Sequence, residues 1–308
     1  MAEATPLEVN IRGIHFKNPV ILASGTCGYG LELKDFIDLN KVGGLSVKGL
    51  SLEPCSGNPM PRIVETSAGL INAIGLENIG VKAFINEVLP DLRQFDTVII
   101  ANFWGKTTDD YVEVARMLDD SAVDMLEMNV SCPNIKEGGI SFGTDIRQLE
   151  SVVKKVRKKI IKPLIVKLSP NVGNIAMFAR VVEDAGADCI SAINTIMAMS
   201  IDVNTFKPRI ANITGGLSGP AIKPVAVRMV YEIYNAVKIP IIGLGGIMNY
   251  IDVLEFFLAG ASAIQIGTSN FVNPCSALEI NEGLYNYLKA KNIKNISNLT
   301  GKINNKSA

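Results

Sequence analysis

The chain has 308 residues, of which 48% are hydrophobic and 19% are charged, and its 30 acidic residues balance 30 basic ones. A chain of this size can bury a large core, and the balanced charge gives no electrostatic footprint for nucleic acid or an acidic membrane. The first residues form no signal region and no long uncharged apolar stretch follows, so we expect a cytoplasmic protein without a membrane span.

The first predicted element is a β-hairpin within residues 1–18. Apolar residues alternate with polar ones on both sides of Arg12-Gly13, which is typical of two short strands joined by a turn. Apolar runs and helical patterns then alternate eight times. The predicted strands cover residues 19–24, 44–47, 97–102, 125–131, 164–169, 189–194, 239–243 and 263–267. The predicted helices cover residues 33–39, 80–94, 107–119, 145–159, 174–185, 221–236, 249–259 and 276–290.

This alternation predicts an α/β fold of the (β/α)8 TIM barrel type. The strands are short and rich in Val and Ile without alternation, as expected when both faces of a sheet are covered. An open doubly wound sheet is the alternative, but no G-x-G-x-x-G motif follows the first strand. No linker divides the chain, so we predict a single domain over residues 1–308. The Lys- and Asn-rich segment 291–308 is expected to be a solvated tail.

Two connections are too long to be simple turns. Residues 49–79 and 196–220 both follow predicted strands, so in a barrel both lie on the carboxyl-terminal face. Active sites of barrels occur on that face. Surface decoration is the alternative interpretation of these segments.

Polar side chains end several of the predicted strands. Asn102, Asn129, Lys167 and Asn194 terminate apolar runs, and Lys48 lies in a similar apolar setting. A buried ammonium needs an anion, because an unpaired charge in the interior costs several kcal/mol. Amides donate and accept hydrogen bonds together, which suits a flat heterocycle with N–H and C=O edges. The pattern predicts a ligand cavity lined by strand ends.

Glycines close the last two predicted strands. The segments Gly243-Leu-Gly-Gly246 and Gly267-Thr268 would let backbone N–H groups approach an anion. The loops after strands seven and eight are where barrels bind phosphate. A tight turn alone is the other explanation, but the pairing of both loops favours a phosphate site.

Cys132 is the candidate catalytic residue, although a lone cysteine is more often a small buried apolar side chain. The five cysteines form no C-x-x-C pair, so no metal or cluster site is predicted, and the single histidine, His15, lies in the predicted hairpin. Cys132 follows an apolar strand and precedes Pro133 in a loop with Gly138-Gly139 as a hinge. An ordinary thiol is only slightly ionised near neutral pH, so a thiolate base would work better as pH rises.

These residues together resemble the dihydroorotate dehydrogenase family. The matching segments span nearly the whole chain in barrel order, and they are Asn18-Pro-Val-Ile-Leu-Ala-Ser-Gly25, Val47-Lys-Gly49, Asn72-Ala-Ile-Gly-Leu76, Asn129-Val-Ser-Cys-Pro-Asn134, Val166-Lys-Leu-Ser-Pro170, Ile193-Asn-Thr195, Gly215-Gly-Leu-Ser-Gly-Pro220 and Gly243-Leu-Gly-Gly246. A cysteine at position 132 is similar to class 1 members, since class 2 members use serine there. Phe16-Lys-Asn-Pro-Val20 and Gly219-Pro-Ala-Ile-Lys-Pro-Val225 most resemble the class 1B catalytic subunit.

The resemblance implies oxidation of (S)-dihydroorotate to orotate in de novo pyrimidine biosynthesis, with FMN in the barrel mouth. It implies that Cys132 takes the proton from C5 while the C6 hydride goes to the flavin. The residues expected to bind substrate are Lys48, Asn72, Ala73, Ile74, Gly75, Leu76, Asn129, Asn194 and Thr195. The residues expected to bind FMN are Ser24, Lys48, Gly49, Asn102, Asn129, Lys167, Ile193, Gly219, Gly245, Gly246, Gly267 and Thr268.

Class 1B members pass electrons to NAD+ through a second subunit that carries FAD and a [2Fe–2S] cluster. The resemblance therefore implies a homodimer within a heterotetramer with such a subunit. Three alternatives stay open: a class 1A enzyme that reduces fumarate, a dihydropyrimidine dehydrogenase-like subunit that shares the Asn-x-Ser-Cys-Pro loop, and a barrel that only binds a phosphorylated ligand. Lys48 favours a substrate with a carboxylate, which orotate has and uracil lacks.

Overall fold

Residues 5–131 and 142–303 are described in the computed structural model, and their strands include the eight that the sequence predicts. The strands, in chain order, are β1 (Val9–Ile11), β2 (Ile14–Phe16), β3 (Val20–Leu22), β4 (Gly44–Ser46), β5 (Ile63–Thr66), β6 (Gly69–Asn72), β7 (Val98–Phe103), β8 (Met125–Asn129), β9 (Leu164–Lys167), β10 (Cys189–Ala192), β11 (Ile196–Met199), β12 (Ile201–Asp202), β13 (Lys207–Pro208), β14 (Thr214–Ser218), β15 (Ile241–Leu244) and β16 (Ala263–Ile266).

Eight of these strands close into a parallel barrel. Their order around the barrel is β3-β4-β7-β8-β9-β10-β15-β16, and β16 pairs back onto β3. Buried residues occupy both faces of these strands, which explains their continuous apolar sequence. The predicted (β/α)8 barrel is confirmed, and the doubly wound alternative is wrong. The hairpin of β1 and β2 is also confirmed, since Val9 pairs with Phe16.

Helices cover the outside of the barrel. They are α1 (Val81–Ala83), α2 (Leu89–Leu92), α3 (Thr108–Asp119), α4 (Ile146–Arg157), α5 (Ile175–Asp184), α6 (Lys223–Tyr234), α7 (Tyr250–Ala259), α8 (Ser269–Val272) and α9 (Ser276–Ala290). Side-chain caps set several starts: Thr107 and Asp110 form a capping box at α3, and Asn249 and Asp252 form one at α7. No helix within these described ranges is long and apolar enough to cross a membrane.

Two predicted helices differ from the structure. The segment predicted as a helix over residues 33–39 contains no α-helix, and 3-10 turns lie at Leu31–Leu33 and Leu39–Lys41. Asp38 has extended backbone and accepts a hydrogen bond from the N–H of Asn40, which interrupts a helix there. The predicted helix over 80–94 has a π-helical stretch, Phe84–Val88, between α1 and α2. Pro90 lacks the N–H that would continue a regular α-helical ladder.

The two long connections meet over the barrel mouth. Strands β5 and β6 of the first and β11 and β14 of the second form one antiparallel sheet, in the order β11-β14-β6-β5. Asn72 of β6 pairs with Gly216 of β14, so the register brings two distant segments together. The sheet has its own small core of Val64, Ile71 and Ile210. The predicted place of these connections is confirmed, but the sheet itself was not predicted.

The segment after α9 is not a solvated tail over its described part. Ile296 is fully buried, and its N–H donates to the carbonyl of Pro6 over 2.9 Å. The side-chain amide of Asn295 donates to the carbonyl of Glu8 over 3.0 Å. The expectation was wrong here because Ile296 and Leu299 lie three residues apart and put apolar surface on one side of a 3-10 turn. Residues 304–308 lie outside the described ranges.

Candidate active site

A cavity of about 760 Å³ opens at the carboxyl-terminal end of the barrel, beneath the antiparallel sheet. Every predicted binding residue lies in its lining, and these residues are Ser24, Lys48, Gly49, Asn72, Ala73, Ile74, Gly75, Leu76, Asn102, Asn129, Lys167, Ile193, Asn194, Thr195, Gly219, Gly245, Gly246, Gly267 and Thr268. Cys132, the predicted base, lies outside the described residues, although Ser131 lines the cavity. The barrel therefore gathers residues that are up to 244 positions apart in the chain.

Glu127 does not line the cavity itself but contacts three residues that do, Asn102, Lys167 and Gln265. Glu127 lies on β8 and is completely buried, and its carboxylate accepts hydrogen bonds from three side chains. Asn102 Nδ2 donates over 2.6 Å, Ser46 Oγ over 2.8 Å and Gln265 Nε2 over 2.8 Å. The Nζ atom of Lys167 lies 3.9 Å from Glu127 Oε2. A buried carboxylate is tolerable here because donors and a cation surround it.

The ionised form of Glu127 is favoured by this surrounding. Burial alone raises the pKa of a carboxyl group, but the Lys167 ammonium and the hydrogen bonds from Asn102 and Ser46 hold the pKa of Glu127 below its usual range. Sequence analysis missed Glu127 and Gln265. The signal was present, because each is a polar residue inside a run of apolar ones, as were the asparagines that the prediction did use.

Two carbonyl oxygens of the floor have no hydrogen-bond partner among the residues that the structure describes. Asn102 Oδ1 and Gln265 Oε1 are both buried, and both side chains belong to the cavity lining. An unsatisfied buried acceptor costs about 1–3 kcal/mol, so such groups call for an explanation. Donors on a bound molecule would satisfy both oxygens.

Lys48 is a cation in the cavity lining. It follows β4, is half-buried, and forms no ion pair within 4 Å in residues 5–131 or 142–303. Burial lowers the pKa of its ammonium group, and the nearby Glu77 only partly offsets this. Arg62 and Glu77, also in the lining, pair with each other instead. An anionic ligand would stabilise Lys48.

Amides line the wall between the floor and the sheet. Asn194 Nδ2 donates to Asn129 Oδ1 over 3.3 Å, and Asn72 Nδ2 donates to the carbonyl of Gly216 over 3.3 Å. Asn171, which the sequence analysis did not select, donates to the carbonyl of Thr195 over 3.0 Å and accepts from the N–H of Met197. The Asn72 side chain and the Thr195 backbone are therefore held where the sheet meets the barrel.

The glycines predicted to bind phosphate lie at the ends of β14, β15 and β16. Gly219, Gly245 and Gly246 have φ angles of 96°, 129° and 77°, which glycine adopts without strain. A Cβ atom on Gly246 would lie 2.7 Å from the carbonyl of Gly219, so a side chain does not fit. The Thr268 hydroxyl donates to Ser218 Oγ over 2.8 Å and joins the first of these ends to the last. Glycine is therefore required where these backbone segments approach one another, and all three glycines lie in the cavity lining.

The described cysteines are unsuited to acid–base chemistry. Burial raises the pKa of Cys27 to about 12, and it also raises the pKa of Cys189. The thiol of Cys27 lies 3.4 Å from the carbonyls of Ala23 and Ser46. Both side chains behave as small buried apolar groups. Cys55 and Cys275 are half-buried and lie outside the cavity lining.

Comparison with known proteins agrees with this geometry. A family profile described as dihydroorotate dehydrogenase matches residues 6–288. A protein of Caldicellulosiruptor bescii named dihydroorotate dehydrogenase B (NAD(+)), catalytic subunit, is 55% identical over 298 residues, covering 97% of this chain and 99% of its own. Proteins of the same name from Caldicellulosiruptor saccharolyticus and Thermodesulfovibrio yellowstonii are 54% and 55% identical, covering 97% and 96% of this chain and 99% and 98% of their own. The chain belongs to the dihydroorotate dehydrogenase family.

Proposed function

We propose that this chain oxidises (S)-dihydroorotate to orotate with FMN as its cofactor and Cys132 as the base. The observation that carries the proposal is Lys48, a half-buried ammonium without an ion-pair partner within 4 Å in the described part of the chain, beside a wall of amides. Orotate has a carboxylate for Lys48 and a ring with alternating N–H and C=O groups for Asn72, Asn129 and Asn194.

The residues present fit FMN. The unpartnered oxygens of Asn102 and Gln265 are acceptors for a ring N–H, and Lys167 offers positive charge beside them. The glycines at positions 219, 245, 246 and 267 line the cavity with Thr268, and their backbone N–H groups are the proposed donors to a phosphate group. Ser24, Gly49 and Ile193 belong to the same lining and are assigned to the proposed FMN site.

In this proposal the chain binds, orients and deprotonates the substrate. Lys48 fixes the carboxylate, and the asparagines with Thr195 hold the ring edges, together with the segment Ala73-Ile-Gly-Leu76 of the first long connection. The Cys132 thiolate takes the proton from C5, and a double bond forms as the hydride leaves C6. FMN, when bound, supplies the acceptor for that hydride. Lys167 favours negative charge on the cofactor.

A partner subunit completes the proposed reaction. The relatives are named NAD(+)-linked catalytic subunits, and that name supports transfer of electrons from this chain to NAD+ through another subunit. We propose that the partner carries FAD and a [2Fe–2S] cluster, and that two copies of this chain form the centre of a heterotetramer. The cytoplasmic location expected from the sequence is part of the same proposal.

The test is anaerobic bleaching of the purified protein. Dihydroorotate should reduce the bound flavin and remove its yellow colour, whereas dihydrouracil, which lacks the carboxylate, should not. Bleaching by dihydrouracil alone would refute the substrate assignment. Co-purification from the native source should yield an iron–sulfur flavoprotein, and the complex should reduce NAD+ faster than fumarate. Faster reduction of fumarate would refute the proposed acceptor.

A further inference from the structure

Glu127 pairs with Lys167 and also constrains the direction of the side-chain amides that donate to it. An ionised carboxylate can only accept hydrogen bonds, so the NH2 groups of Asn102 and Gln265 must face Glu127. Each side-chain amide has its oxygen on the other side, and both oxygens are buried without a partner in the described ranges. One carboxylate therefore sets the direction of two amides in the cavity floor.

The position of the Asn102 oxygen supports this arrangement. A Cβ atom built on Gly49, a cavity residue, would lie 2.8 Å from Asn102 Oδ1. The oxygen therefore lies close to Gly49, the residue that follows Lys48 in the sequence, and no side chain separates the two. Ser46 donates to the same Glu127 oxygen as Asn102 does, which restricts the carboxylate further.

We propose that Glu127 is a positioning residue that makes the cavity floor selective for a ligand edge with a ring N–H donor. The inference rests on the proposed function, in which that ligand is FMN, whose ring presents an N–H group between two carbonyls. Glu127 acts through Asn102 and Gln265. A ligand that presents only acceptors at the floor would face two carbonyl oxygens and lose affinity.

The direct test compares FMN with 3-methyl-FMN, in which the ring N–H is replaced by N–CH3. Competition of the two flavins for the purified protein, followed by absorbance, should give at least a tenfold preference for FMN. In Glu127→Gln the side chain at 127 both donates and accepts, so Asn102 can turn over. The preference should then fall to about threefold or less.

The reduction potential of the bound flavin is a second measurement. It would not change if the role of Glu127 were purely structural. Removal of a buried negative charge beside the cofactor site should make the potential more positive in Glu127→Gln. The matched control is Glu113→Gln, an exposed carboxylate on α3 that pairs with Arg116, and it should change neither measurement. An unchanged preference and potential in Glu127→Gln would overturn the proposal.

A second variant covers the case in which Glu127→Gln does not fold. Ser46→Ala removes one hydrogen bond to Glu127 without changing charge, and it should lower the flavin preference in the same direction by a smaller factor. Equal binding of both flavins by the wild-type protein would overturn the positioning role even if dihydroorotate bleaches the flavin. A normal preference without bleaching would support the positioning role and refute the proposed substrate.

Discussion

The two ends of the barrel treat polar groups in opposite ways. At the amino-terminal end, Asp124 precedes β8 and accepts hydrogen bonds from the N–H of Ile99 over 2.7 Å and from Arg93 over 2.6 Å. Asp188 precedes β10 and accepts from the N–H of Leu164 over 2.9 Å and from Arg157 over 2.6 Å. These carboxylates tie strands to neighbouring helices and loops, and their partners are all protein groups.

At the carboxyl-terminal end, several buried polar groups lack protein partners of this kind within the described residues. Lys48 lacks an ion pair and two amide oxygens lack donors within the described residues, although all lie in one cavity. An unpaired buried charge and an unsatisfied buried acceptor are both costly, and a bound ligand would supply the partners that the described residues do not. The comparison separates a face that stabilises the fold from a face that binds, and substitutions on the two faces should differ accordingly.

The largest effect is expected at Cys132. Cys132→Ala should slow flavin reduction by dihydroorotate about 10²- to 10⁴-fold, because a positioned base contributes this much to proton transfer. FMN binding should be unchanged. Stopped-flow bleaching measures the rate, and the wild-type rate should rise with pH as the thiol ionises. Cys189→Ala is the matched control, since that thiol is buried in a barrel strand. Wild-type bleaching in Cys132→Ala would remove Cys132 from the mechanism.

Lys48 should have the next largest effect, on binding. Lys48→Ala should weaken orotate binding roughly 10- to 100-fold, as expected for the loss of one charged hydrogen bond. Titration of the flavin spectrum with orotate gives the dissociation constant. Uracil lacks the carboxylate, so its weaker binding should hardly change, and an equal loss for both ligands would contradict the assigned contact.

The same residue predicts a pH dependence. Burial lowers the pKa of Lys48 in the free protein, and only the protonated ammonium attracts the carboxylate. Orotate affinity should therefore begin to fall at a lower pH than an ordinary lysine would give. In Lys48→Ala this fall should disappear. Persistence of the full fall in the variant would assign it to another group.

The barrel and most of the site were predictable because local patterns carry them. A short apolar run that ends in Asn102 or Lys167 contains both the strand and the polar strand end. The antiparallel sheet over the mouth was not predictable, since the pairing of Asn72 with Gly216 joins segments that have no local pattern in common. Glu127 was missed for a different reason. Its partners Ser46, Asn102 and Gln265 lie on three other strands, and only barrel closure brings them to one carboxylate.

Asp188 tests the stabilising face. Asp188→Ala removes the hydrogen-bond acceptor of Arg157 and of the Leu164 N–H, and these groups are mostly buried. The substitution should therefore lower the free energy of unfolding by about 2–4 kcal/mol. Urea unfolding measures this change. Bleaching of bound flavin by dihydroorotate should keep its wild-type rate. The exposed Asp184→Ala at the end of α5 is the control and should have little effect on either. A strong loss of bleaching in Asp188→Ala would mean that the two faces are not separate.

Arg12 is expected to have the smallest effect, although it binds the same carboxylate. Its guanidinium donates to Asp188 Oδ1 over 3.0 Å, but its side chain is 50% exposed, against 22% for Arg157. Solvent screens an exposed pair, so Arg12→Ala should cost less than about 1 kcal/mol, and salt should reduce the difference from wild type. Arg157 also donates to the carbonyls of Ile160 and Lys162, so Arg157→Ala should cost more. Equal losses for the two arginines in urea unfolding would show that exposure does not decide the contribution of an ion pair on this face.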